Sequence, residues 1–182
     1  MPDLSFSSFV KKALARREAT LTLLLVVLLV PISIRSPQFL SAKNISTILN
    51  DMAILSIVAI GEFYVILSNG IDLSVGSIIA FTGMATGMIN EANPTVSPLL
   101  LLLAGMGIGM VMGLFNGVLV AYGEIPPIIT TLGTVNIYRG LTFLLSGGTW
   151  VTAHEMSKSY IDFPRNSFLG ISNLLWIAII VI

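Results

Sequence analysis

The chain has 182 residues, 55 % of them hydrophobic and only 10 % charged, with a mean hydropathy of +0.95; soluble domains carry roughly 25 % charge, so the composition is that of an integral membrane protein. Nine basic residues balance nine acidic ones without forming a run that could follow a nucleic-acid backbone. The absence of cysteine removes disulfides, thiolate metal sites and cysteine nucleophiles, and a single histidine, His154, excludes a His-based metal cluster within one chain.

Lys11, Lys12, Arg16 and Arg17 precede the apolar run Leu21 to Val30, as in a signal sequence, but the run leads into PISIRSPQF with no small-x-small cleavage site. A retained signal-anchor is expected, with residues 1–18 as a cytoplasmic segment and 19–182 as a transmembrane domain. The first helix is expected over about Ala19 to Ile34, where Pro31 should kink it or end its regular part. A polar connection follows from Arg35 to Asn44.

A second helix is expected from Asn44–Ile48 to Ser68. Its two acids, Asp51 and Glu62, are eleven residues apart and fall within about 20° of each other on a helical projection. Asp51 lies near the helix start and reads as interfacial. Glu62 either faces protein or water, where an intramembrane carboxylate marks function, or snorkels from the far end.

The stretch NGIDLSVGSIIAFTG, Asn69 to Gly83, interrupts two apolar runs with one acid, a small hydroxyl residue and glycine. Asn69-Gly70 is a turn signal, and Asp72 and Ser74 are good N-cap residues ahead of a helix starting near Leu73 to Val75. Two readings of the break at Gly70 to Ser77 stand together. Asp72 caps a tight turn, or the break lines a polar cavity whose amides, with Asn69, Asp72 and Ser74, meet ligand hydroxyls.

The third helix is expected over about Ser74 to Ile89, and the fourth over Leu99 to Tyr122. In the fourth, Gly105, Gly109, Gly113 and Gly117 recur at i+4 steps, a ridge that lets another backbone approach closely in lipid. Asn116 is expected to bond across that contact. The prolines of Gly123-Glu-Ile-Pro-Pro127 break the chain, and a fifth helix is expected from Pro127 to Leu145. Thr131, Thr134, Tyr138 and Thr142 fall within an arc of about 80°. Such a hydroxyl stripe suits a hydroxyl-rich ligand, or else bonds to backbone and neighbouring helices. Arg139 on this helix is costly unless interfacial or paired.

Ser146 to Gly170 reads as a polar loop, with His154 solvated and Trp150 and Tyr160 at the membrane surface. A sixth apolar run from Ile171 to Ile182 rises about 18 Å, short of the roughly 20 residues a span needs; it reads as a partial helix, cut within its length. The expected fold is an all-α polytopic bundle of about five complete transmembrane helices plus this partial sixth.

GIDLSVGS at 70–77, LFNGVLVA at 114–121, IPPIITTLGT at 125–134, YRGL at 138–141 and LSGG at 145–148 resemble the permease subunits of bacterial ABC importers for monosaccharides, whose members take up ribose, xylose, arabinose, galactose, rhamnose or the autoinducer-2 signal. The similarity covers about Ser36 to the C-terminus, with the five motifs in the family's order. The resemblance implies a multi-pass permease of the cell inner membrane that works with an ABC ATPase subunit, a periplasmic or extracellular sugar-binding protein and a second permease subunit. ATP would be bound by the partner, since the chain has no GxxxxGK[ST] phosphate loop. Family members are considerably longer, and their second half carries the cytoplasmic coupling segment. Glu62 stands where many members carry an uncharged residue, so the resemblance assigns it no role.

The substrate path expected from these readings comprises Asp72, Ser74, Asn69, Glu62, Thr131, Thr134 and Tyr138. The alternatives are a secondary transporter or channel in which Asp51, Glu62 and Asp72 handle protons or cations, and a truncated, non-functional permease remnant. An intramembrane enzyme is disfavoured by the lack of cysteine, clustered histidines and a GxSxG elbow.

Overall fold

The computed structural model describes residues 17–182. Lys11, Lys12 and Arg16, on which the signal-anchor reading chiefly rests, lie outside the described residues. The described elements are α1 (Arg17–Arg35), a 3-10 turn (Pro37–Leu40), α2 (Ala42–Leu67), α3 (Val75–Ala92), α4 (Pro98–Ala121), α5 (Pro127–Ser146), a short α6 (Lys158–Asp162), strands β1 (Ser167–Phe168) and β2 (Ile171–Ser172), and α7 (Asn173–Val181). The fold is the all-α polytopic membrane bundle that the composition requires.

Among the described residues four helices, α1, α2, α4 and α5, are long and apolar enough to cross a membrane. The expected fifth, α3, has 18 residues and a length of about 27 Å, but it is not among these four. The reason lies in its composition, because Ser77, Thr82, Thr86, Asn90 and Glu91 interrupt its apolar residues. It packs against both α4 and α5 and buries Ser77, Thr86, Gly87 and Asn90, so its surface is matched to other helices rather than to lipid tails.

The chain divides into two compact units, at Leu49 and Asn50. In the first, α1 continues through Pro31 to Arg35, so this proline does not end the helix. The connection expected as polar loop is tighter than that. A single 3-10 turn leads into α2 at Ala42, with Asn44 Nδ2 donating to the Phe39 carbonyl at 2.7 Å and Ser41 Oγ accepting from the Asn44 amide at 3.3 Å.

In the second unit the core is small and largely polar. Its buried apolar residues are Ala53, Met84, Leu101, Met112, Tyr138 and Ala178, beside a larger set of buried Ser, Thr and Asn side chains. Large aliphatic side chains such as Met110, Val111 and Leu144 point outward. This is the arrangement expected where lipid, not water, surrounds the helices and apolar burial drives little.

The segment after α5 folds back onto α3 rather than remaining a free loop. Gly147 takes the left-handed conformation that ends α5 (φ 60°). Asn90 Oδ1 accepts from the Ser157 amide at 2.7 Å while its Nδ2 donates to Ser157 Oγ at 3.0 Å. Tyr160, expected at the membrane surface, is instead half-buried, its hydroxyl 3.0 Å from Thr86 Oγ1. Trp150 is exposed, at 73 %, and His154 is exposed as expected. Ser172 caps α7 by accepting from the Leu175 amide and donates its hydroxyl to Asn50 of α2.

Candidate functional site

The break between α2 and α3 is built from local chemistry. Asn69 enters the left-handed region (φ 56°), its amide donating to the Ile66 carbonyl at 3.0 Å and that of Gly70 to Val65 at 2.9 Å. These two bonds close the end of α2 as a Schellman motif. Gly70 is favoured by space rather than by φ: a Cβ there would lie 3.0 Å from Val65 Cγ1 and 3.1 Å from the Val65 carbonyl oxygen, so Val65 would have to give way.

The start of α3 corrects the capping expectation. Ser74 already has helical dihedrals (φ −87°, ψ −13°) and makes no side-chain cap bond. Asp72 Oδ1 instead accepts from both the amide and the hydroxyl of Ser74, at 2.6 and 2.7 Å. Asp72 therefore folds the two residues ahead of the helix and does not reach its amides. Its second oxygen, Oδ2, has no partner among the described residues.

From Ser74 a buried polar chain crosses the bundle. Asn116 Nδ2, on α4, donates to Ser74 Oγ at 2.8 Å. Tyr138, on α5, donates its hydroxyl to the Met112 carbonyl at 2.8 Å and to Asn116 Oδ1 at 3.2 Å. Asp72, Ser74, Asn116 and Tyr138 thus join the break to both helices that pack on α3. Thr131 adds a second tie, its hydroxyl shared between the Pro127 carbonyl at 2.9 Å and the Ile71 carbonyl at 3.2 Å.

The hydroxyl stripe of α5 is real as a stripe: Thr131, Thr134, Tyr138 and Thr142 are all buried. Its donors are committed to protein. Thr134 reaches the Thr131 carbonyl at 3.4 Å and Thr142 that of Tyr138 at 2.8 Å. One hydroxyl in the same helix, Thr130 Oγ1, is buried without a partner among the described residues. Tyr138 also borders a cavity of about 490 Å³ walled by apolar residues including Phe81, Ile108 and Leu141.

Of the remaining expected site residues, Glu62 is half-buried and close enough to Asp72 for their charges to interact. Asn69 serves the turn through its backbone and is exposed, as is Asp51. Among the described residues no group of three His, Asp or Glu is placed to hold a metal ion.

The glycine ridge divides in two. A Cβ on Gly105 would meet Thr86 Cγ2 at 3.5 Å, and one on Gly109 would meet Ile78 and Thr82 at 3.8 and 3.9 Å, so this half packs on α3. Gly113 and Gly117 face open space, with nothing within 4 Å of an added Cβ. Asn116, expected to bond across the ridge contact, points instead at Ser74 and Tyr138. The signal for its importance was present. It is the one hydrogen-bonding side chain in the 24 residues of α4, and a lone amide in an apolar helix needs a partner. What the sequence did not carry is which partner.

Residues 44–182 match the protein family described as branched-chain amino acid transport system / permease component. The chain is 36 % identical over 164 residues to the autoinducer 2 import system permease protein LsrC of Salmonella typhi, covering 90 % of this chain and 46 % of that protein. It is 34 % identical over 166 residues to the LsrC protein of Escherichia coli K12, covering 91 % and 47 %. The chain thus spans about half the length of the curated relatives it matches. No solved structure matches.

Proposed function

The chain belongs to the family of branched-chain amino acid transport system permease components, and on that premise we propose that it is a permease component of an ABC importer for a monosaccharide or similar small polyol. In this reading it sits in the cell inner membrane, pairs with a second permease subunit, receives substrate from a periplasmic or extracellular binding protein, and is driven by a separate ATPase subunit. The chain itself does no bond-making chemistry. The observation that carries the reading is the similarity over nine-tenths of the chain to proteins named as import permeases.

The break supplies the chemistry for passing hydroxyl-rich cargo. Among the described residues Asp72 Oδ2 is an acceptor without a partner, and the buried Thr130 hydroxyl is also unpaired. Breaks of this kind in membrane helices are tolerated where they are buried in protein or line a water-filled path. Ser74, Asn116, Tyr138 and Thr131 hold the break in one conformation, and the nearby Glu62 adds negative charge. A polyol passing here would donate to Asp72 and exchange with the loosely held Thr134, whose own bond is 3.4 Å long.

Asp72→Asn tests this in a complete permease system with its ATPase and binding protein. The amide oxygen of Asn accepts from Ser74 as the carboxylate does, so assembly is retained, while charge-assisted bonds about twice as strong as neutral ones are lost. Uptake of labelled pentose per membrane-inserted permease should fall. Parental uptake by Asp72→Asn, with Asp72→Ala impaired only in abundance, would make Asp72 a purely structural residue.

A further inference from the structure

Outside the break, α5 carries a second polar feature. A cavity of about 480 Å³ is lined by Arg139, Thr142, Phe143, Ser146, Gly148 and Trp150, with Ala80 of α3 on its wall. Arg139 forms no ion pair or hydrogen bond with any described residue. A guanidinium carries its charge at all relevant pH, and leaving it unpaired within a membrane helix is costly.

The charged group in this cavity is a donor. Arg139 offers up to five N–H groups, and the indole N–H of Trp150 is likewise without a partner among the described residues. The hydroxyls do not add free donors: Thr142 donates to the Tyr138 carbonyl at 2.8 Å and Ser146 to that of Phe143 at 3.2 Å. No carboxylate lines the cavity among the described residues. The one charge among these lining residues is a positive, fork-shaped set of donors, which matches an anion.

The depth is also specific. Arg139 precedes the end of α5 at Ser146 by seven residues, or about 10 Å of helix. Arg139 and Trp150 line one cavity, and tryptophan is a residue type favoured at the membrane–water boundary, toward which arginine heads snorkel. The Phe143 ring and Ala80 give the cavity an apolar flank.

We propose that this cavity is a binding site for a phosphate anion, presented by a phospholipid headgroup, with Arg139 and the Trp150 indole as donors and the Phe143 side as the bed for the acyl chain. The site is separate from the sugar path and stands whether or not that reading holds.

The test uses the full purified chain in detergent, with native mass spectrometry reading lipid retention. Phosphatidylglycerol should bind about tenfold more tightly than diacylglycerol, which has the same acyl chains and no phosphate, the difference expected from one charge-assisted contact. Arg139→Gln should abolish that preference, Arg139→Lys should keep part of it, and Trp150→Phe, which keeps the ring and removes the N–H, should reduce it. Millimolar inorganic phosphate separates the two sources of the anion. If phosphate alone binds as tightly and displaces the lipid, the anion site stands but the lipid source is overturned. Equal retention of the two lipids, or a full preference surviving in Arg139→Gln or unchanged in Trp150→Phe, overturns the site.

Discussion

Asn116 Nδ2 donates to Ser74 Oγ over 2.8 Å, joining positions 42 residues apart in sequence. Because Asn116 Oδ1 also accepts from Tyr138, one side chain on α4 holds both the start of α3 and the middle of α5. Asn116→Leu removes both bonds. Interhelical hydrogen bonds in membranes contribute about 0.5–2 kcal/mol each, so detergent unfolding should show a loss of about 1–3 kcal/mol. Ser74→Ala should lose less on its own, and the two changes together should fall short of additive. Additive losses would mean that the two residues are not coupled.

The glycine ridge predicts a position-dependent response. Gly105→Leu and Gly109→Leu should force α4 away from Thr86, Ile78 and Thr82 and lower stability by about 1–3 kcal/mol. Gly109→Ala fits the space present and gains helix propensity, up to about 1 kcal/mol. Gly113→Leu, which meets nothing within 4 Å, should leave the unfolding temperature of this chain unchanged. An equal loss at Gly109 and Gly113 would remove the division of the ridge.

Orientation can be read with introduced cysteines, since the chain has none. Helix counting from a cytoplasmic N-terminus puts the segment after α5 outside and the turn between α4 and α5 inside. Ser157 is a poor reporter because its amide and hydroxyl are bonded to Asn90; the adjacent Lys158 is exposed, as is Glu124. Lys158→Cys should react with an impermeant thiol reagent in intact cells and Glu124→Cys should not. The opposite pattern would invert the topology.

The loop after α5 has a pH-sensitive turn. Glu155 accepts from the Thr152 amide at 2.6 Å and from its hydroxyl at 2.9 Å. These bonds, backbone first, hold its carboxyl below the ordinary value of 4.5. A depressed folded-state value means that the turn's stabilisation is present above 4.5 and is lost as pH falls through the lower folded value. The Thr152 amide resonance should therefore titrate with a midpoint below 4.5 and become flat in Glu155→Gln. A midpoint at or above 4.5 would show that the turn does not form in solution.

The sequence alone determined the membrane class, the helix order and the break. Those follow from local physics: apolar length, proline and glycine positions, and the Asn69-Gly70 turn that ends α2 whatever surrounds it. It also marked Asp72, Ser74 and the α5 hydroxyls as unusual, because polar groups in apolar runs need partners. Tertiary structure alone decided what those partners are. Ser74 turned from a cap into a link because Asn116 reached it from α4, and Thr131 was drawn to the Ile71 carbonyl. Only half of the glycine ridge found a neighbour, because the crossing with α3 leaves Gly113 and Gly117 in open space. A helical projection gives the face on which a residue lies; which helix meets that face depends on packing between segments distant in sequence, and local pattern does not encode it.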